Sequence, residues 1–375
     1  MDIYLDYAAN TPVDPAVLQT MFDFKNSSFG NPSSPHRFGQ KVKYAVENAR
    51  DIIARCLKCH PSEIIFTSGG TESNNLALIG AARMFPKGKN HLIVSAAEHP
   101  SVINAAKYLQ SIGLEVTFVK PDNSGQITVS LIKEHLKAQT AMISAMYVNN
   151  ETGIINPVRD ISEFCKKNDI LFHCDAVQAF GKIPFDLNSL KADLLSLSAH
   201  KIYGPEGIGA LFIRKGTSID AVQKGGGQEV NMRAGTENIM GIIGLGKAVE
   251  LFKIDKYKEH TIKIQRYFEE NLKRTLKDIY FIAEKTERSS SISNIAFTGI
   301  DNAAMLLNLD LEGIAASTGS ACSSGSVTKS RVLQSMGFPD EIVNSAIRFS
   351  FGKQTTTNEI DYTLQKITDI VKRLL

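Results

Sequence analysis

The stretch Asp193-Leu194-Leu195-Ser196-Leu197-Ser198-Ala199-His200-Lys201, followed by Tyr203-Gly204-Pro205-Glu206-Gly207-Ile208-Gly209 and then Ala210-Leu211-Phe212-Ile213, decides how the rest of the chain reads. Short apolar runs bounded by Gly and Pro read as buried strands. Lys201 therefore sits where a core strand empties into a tight turn. Desolvation there disfavours the ammonium, and a neutral amine can add to an aldehyde to form a Schiff base. The plain alternative is a loop lysine that snorkels to water.

Outward from this stretch, strand-like runs alternate with helix-like segments. The runs are Ile64 to Thr67, His91 to Ser95, Val116 to Val119, Met142 to Tyr147 and Ile170 to Cys174. A helical spacing of apolar residues covers Phe38 to Cys56, before the first run. Strands separated by helices imply parallel pairing with crossovers, hence an α/β sheet covered on both faces. In such sheets ligands sit outside the carboxyl ends of the strands. After Gly235 the pattern shifts to long helices, Asn238 to Phe252 and Tyr257 to Leu276. Shorter strands at Ile292 to Phe297 and Ile347 to Phe351 and a closing helix from Asn358 follow. The expected organisation is a large domain over 13–255 and a smaller α+β domain formed by 1–12 with 256–375.

The chain has 375 residues, 43% hydrophobic and 22% charged, with no low-complexity tract, as a globular protein does. Its net charge of +3 is spread without a basic block, which argues against nucleic acid or an anionic membrane as partner. The opening Met1-Asp2-Ile3-Tyr4-Leu5-Asp6 has no signal-peptide character, and the five cysteines fit a reduced compartment, so a cytoplasmic protein is expected.

The polar groups collect at strand ends. Ile64 to Thr67 runs into Ser68-Gly69-Gly70-Thr71-Glu72-Ser73-Asn74-Asn75 and then a helix. A glycine pair there lets backbone N–H groups converge on an anion, although a Ser or Thr helix cap is the common alternative. His99 follows the next strand and is either structural or suited to a flat ring and proton movement. Asp175 directly follows another strand, with Gln178 a turn later. It is either a helix cap or the partner of a protonated pyridine, with Gln178 facing a ring hydroxyl. Asn149-Asn150-Glu151-Thr152-Gly153, Ser198 and His200 complete the set. Taken together these describe a pyridoxal 5'-phosphate site, and Lys201 becomes its amine.

The residues also resemble a known family, the NifS/IscS-type cysteine desulfurases among class V, fold-type I pyridoxal phosphate enzymes. The resemblance runs from Leu5-Asp6-Tyr7-Ala8-Ala9-Asn10-Thr11 to Ile347-Arg348-Phe349-Ser350. Its most specific pieces are Gly70 to Asn75, Ser198 to Pro205, Gly225 to Glu229 with Arg233 to Asn238, and Gly319-Ser320-Ala321-Cys322. It implies that Lys201 holds the cofactor, Asp175 pairs with the pyridine nitrogen, Gln178 bonds the ring hydroxyl and His99 stacks on the ring. Thr71, Ser198 and His200 would bind the phosphate, and the residue at Thr236 would reach the phosphate of the other subunit, making a homodimer. Asn150 and Arg348 would hold the substrate carboxylate, which a guanidinium grips with a fixed fork. L-Cysteine would displace Lys201, which then moves the α-proton while His99 relays protons; Cys322 would take the sulfur as a persulfide that an acceptor removes. Ser317 to Ser326 is a run of small residues, suiting a thiol that must reach two places; an inert loop thiol is the alternative.

Other readings compete. A selenocysteine lyase or an aminotransferase would keep the lysine site without needing Cys322. Cys56-Leu57-Lys58-Cys59-His60 spells a haem-attachment pattern, but it falls at a predicted helix end whose dipole opposes a thiolate, and no second pair supplies metal ligands. Val327-Thr328-Lys329-Ser330-Arg331 stands where the family has an acidic residue and proline. The chain also stops at Leu375 where longer members have a docking tail. The sulfur acceptor is accordingly left open between an iron–sulfur scaffold and a tRNA-thiolating enzyme.

Overall fold

A computed structural model describes residues 2–319 and 329–375. Cys322 therefore lies outside the described residues. The strands in chain order are β1 (Ile3–Tyr4), β2 (Ile64–Thr67), β3 (His91–Ser95), β4 (Glu115–Val119), β5 (Thr140–Ser144) and β6 (Leu171–Asp175). They continue with β7 (Leu194–Ser198), β8 (Gly209–Ile213), β9 (Ile279–Phe281), β10 (Ile292–Phe297), β11 (Ile314–Ala315) and β12 (Ala346–Ser350). Seven of them form one sheet in the order β2-β8-β7-β6-β5-β3-β4.

Pairing is parallel from β7 through β6, β5 and β3 to β4, whereas β8 runs antiparallel to both neighbours. The reason is connection length. Residues 199–208 are too few for a crossover, which needs a dozen or more, so β7 and β8 pair as an open hairpin around the Lys201 turn. Because β8 is antiparallel to β7 and to β2, strands β2 and β7 point the same way. The carboxyl ends of β2, β3, β5, β6 and β7 thus share one edge, and there the chemistry-bearing residues must meet.

Both faces of this sheet are covered, one by a core including Ile93, Ile143, Phe172, Leu195 and Phe212, the other by one including Leu92, Met142, Leu194 and Leu211. Consecutive residues of one strand, such as Leu194 and Leu195, enter opposite cores, which is why these strands read as unbroken apolar runs. The helix Arg37–Leu57 turns Val42, Val46, Ala49, Ile53 and Leu57 inward at helical spacing and ends at Lys58 in the left-handed conformation. Helix Gly70–Ala82 is buried on nearly all sides, so Asn74 on it points into protein rather than water.

A second core gathers Ile264, Phe268 and Leu272 of helix Ile254–Thr275 with Phe297, Phe349, Phe351, Ile367 and Ile370 around the antiparallel sheet β12-β10-β9. Ile3 and Leu5 belong to this core, because β1 pairs in parallel with β11. Among the described residues no helix is long and apolar enough to cross a membrane.

Candidate active site

A cavity of about 370 Å³ opens at the shared strand edge, lined among others by Gly70, Thr71, His99, Asn150, Asp175, Gln178, Ser198, His200, Lys201 and Arg348. Every described site residue expected from the sequence is therefore brought together except Thr236. Thr236 is exposed on the loop before helix Ile239–Leu251 and does not line the cavity of its own chain. Arg233 of that loop pairs with Glu72 on the first turn of helix Gly70–Ala82, which ties the loop to that helix.

The N-terminal stretch organises the lysine. Lys201 Nζ donates to the carbonyls of Ala8 and Ala9, both at 2.6 Å. Thr11 grips the turn's backbone: its N–H and Oγ1 both donate to His200 O, and Oγ1 accepts from Tyr203 N. His200 Nδ1 meets Asn10 Oδ1 at 3.0 Å, and burial, with the Lys201 charge, pulls its pKa down to about 4.

The glycine turn is not capped by a side chain. Gly69 is the helix N-cap with φ 152°, a conformation that L side chains rarely adopt, and it makes no capping bond. The first-turn N–H groups of helix Gly70–Ala82 are thus available to an anion at the positive end of the dipole. A Cβ on Gly70 would come within 2.8 Å of Val177, so the position takes no larger residue without a shift.

Asp175 is 4% exposed and accepts from Asn74 Nδ2 at 2.7 Å and from Val177 N at 3.0 Å. The chain after it forms a turn, not a helix, which removes the helix-cap alternative. Both of those donors are neutral, so a cation in the cavity would stabilise the carboxylate further.

His99 caps helix Pro100–Ser111, and its Nδ1 accepts from Ser101 N at 3.2 Å and lies 2.8 Å from Ser101 Oγ. Asn74 Nδ2 donates to that same Oγ at 2.9 Å, which leaves the hydroxyl hydrogen for Nδ1. With Nδ1 held as an acceptor, the proton of the neutral ring sits on Nε2. Burial depresses the His99 pKa; the Asp175 carboxylate opposes this, while Lys201 and Arg331 add to it. Replacing Ser101 by alanine removes one donor to Nδ1 and so makes protonation easier. The His99 ring should then protonate at a higher pH, read by NMR titration of its imidazole signals. An unmoved titration would contradict the assigned tautomer.

Arg348 is 2% exposed and held by Asp6 Oδ1 at 2.7 Å and by the backbone O of Asn150 at 2.9 Å. Among the described residues its buried Nε has no partner, and Arg348 lines the cavity. Asn149 is structural: its amide closes the turn to Glu151 and Thr152 and donates to Ala97 O. Arg331, one of the departures noted in the sequence, donates to the carbonyls of Ala96 and Glu98 and so braces the backbone before His99. Cys59 is half-buried, its thiol pushed up to about 12 by burial and Glu63, and His60 caps a short turn. Among the described residues no group of His, Cys, Asp and Glu could hold a metal ion.

The model of one family, Aminotransferase class-V, matches residues 3–363. The chain belongs to the class-V aminotransferase family. This class-V enzyme is 44% identical over 376 residues to a protein named Cysteine desulfurase IscS from Dictyoglomus turgidum, covering 100% of the chain and 95% of that relative. A protein of the same name from Clostridium botulinum is 40% identical, with 99% and 94% covered. Among solved structures, a NifS-like protein superposes with a TM-score of 0.93 at 36% identity, both chains covered fully. A structure described as SspA in complex with cysteine gives 0.84 at 37% identity, with 94% of this chain and 100% of that one covered. The class-V enzyme is pyridoxal phosphate-dependent. Its residues fit that cofactor on three observations: an uncapped helix start for a phosphate, a buried acid with neutral donors, and a lysine amine in the same cavity.

Proposed function

We propose that this class-V enzyme is a cysteine desulfurase that takes sulfur from L-cysteine, releases L-alanine and holds the sulfur as a persulfide on Cys322. The convergence of Lys201, Asp175, His99 and Arg348 with the uncapped glycine turn in one cavity carries this reading. The names of its curated relatives and the cysteine bound to SspA support it.

When bound, pyridoxal 5'-phosphate supplies an electron sink for the charge left at the substrate's α-carbon. Gly70, Thr71, Ser198 and His200 would hold its phosphate, Asp175 would keep its ring nitrogen protonated, and Gln178 would donate to the ring hydroxyl. His99 would face the ring and pass protons through Nε2. Arg348 and Asn150 bind the carboxylate of L-cysteine. Lys201 would hold the cofactor and, with the substrate amine bound, would move the α-proton. The Cys322 thiolate attacks the substrate sulfur; an S–S bond forms as the C–S bond breaks, and the departing electron pair ends with a proton on the methyl carbon of alanine.

Thr236, outside its own chain's cavity, completes the phosphate site of a second copy, so the enzyme works as a homodimer. The exposed, stacked pair Phe29 and Phe38 supports such an interface. Residues 13–255 act as the large domain and 1–12 with 256–375 as the smaller one. The persulfide passes in the cytoplasm to an iron–sulfur scaffold or a tRNA-thiolation enzyme. Incubating the purified protein with pyridoxal 5'-phosphate and L-cysteine should release L-alanine and add one sulfur atom to the peptide carrying Cys322, read by mass spectrometry. Absence of both products would overturn the reading.

A further inference from the structure

Lys182 is 5% exposed, lies on the turn after β6 and has no part in the chemistry above. Its Nζ donates to Gln178 Oε1 at 3.0 Å, while Gln178 Nε2 donates to Ala8 O at 2.7 Å. A side-chain amide can sit either way round, with its oxygen and nitrogen exchanged. The two partners settle which. An ammonium only donates and so selects the oxygen; a carbonyl only accepts and so selects the nitrogen. The amide carries a second N–H beyond the one given to Ala8, and Gln178 lines the cavity.

We propose that Lys182 is a positioning residue: by holding Gln178 Oε1 it turns the amide nitrogen of Gln178 toward the ring hydroxyl of the bound cofactor. This rests on the pyridoxal phosphate reading and deepens it. A leucine or methionine at 182 would leave Ala8 O alone to orient the amide. Burial, with the charges of Lys201 and Arg348, brings the Lys182 ammonium down to about 7, and the neutral amine still has N–H groups to donate.

A double-mutant comparison on the holoenzyme tests this, reading the rate of cofactor release on dilution and the pH midpoint of the visible absorbance band. Lys182→Met should speed release by about tenfold, the size of one charge-assisted hydrogen bond, and shift the midpoint. In a Gln178→Leu background the same change should alter release by less than about twofold and leave the midpoint where that background puts it. Equal losses in both backgrounds would mean that Lys182 acts through packing alone and would overturn the inference, as would no effect in the first. Lys182→Leu repeats the comparison should the methionine variant fail to accumulate. A wild-type protein that never acquires the visible band would instead sink the cofactor reading, and the inference with it.

Discussion

Lys201→Ala protein is expected to form L-alanine from L-cysteine at least about 1000-fold more slowly than wild type, within the range known for loss of a positioned acid–base group. The amine has two tasks here, attachment of the cofactor and movement of the α-proton, so no residual group takes over both. The fold should survive. Lys201 Nζ meets the carbonyls of Ala8 and Ala9, and Ala8 O keeps the bond from Gln178, so about one carbonyl loses its partner at a cost of roughly 1–3 kcal/mol. Asp175 and the glycine turn remain, and the variant should still bind pyridoxal 5'-phosphate reversibly. The checks are alanine by chromatography and the visible band before and after gel filtration. Undiminished alanine formation would remove the basis for the whole assignment.

Cys322→Ala should stay yellow and bind L-cysteine, yet lose persulfide and sulfide release by at least about 100-fold. In this reading Lys201, Asp175 and the glycine turn hold the cofactor, so cofactor binding and the spectral response to substrate should match wild type. That separation distinguishes a desulfurase from a lyase or an aminotransferase, which need no protein thiol. A variant that desulfurates at the wild-type rate would reassign the chain to those activities while leaving the lysine site intact.

The parallel sheet was legible because its inner strands are buried on both faces and read as continuous apolar runs, as in His91–Ser95 and Leu194–Ser198. The residues at the strand ends followed, since a parallel sheet sends them to one edge. Strands β1 and β11 were not legible: two residues carry no period. Helix Pro15–Ser27 escaped too, with Val17 its one buried residue and no apolar stripe to mark it. The polar supports of the site were equally hidden. Asn74 reads as an ordinary helical residue, and only the burial of its helix on nearly all sides turns it toward Asp175 and Ser101. Ala8 and Ala9 contribute carbonyls, which no side-chain pattern can announce.

The β1–β11 ribbon leads on one strand to the carbonyls that hold the lysine amine and on the other to Gly319, a residue of the cavity wall. Spacing between these points is set by main chain rather than by side-chain volume. Over evolutionary time such a brace should accept exchanges of side chain at positions 4 and 315, while Ile3 and Ile314, buried in the second core, stay apolar. Adding or deleting a single residue between Leu5 and Ala8 would instead put the amine out of register with the rest of the cavity.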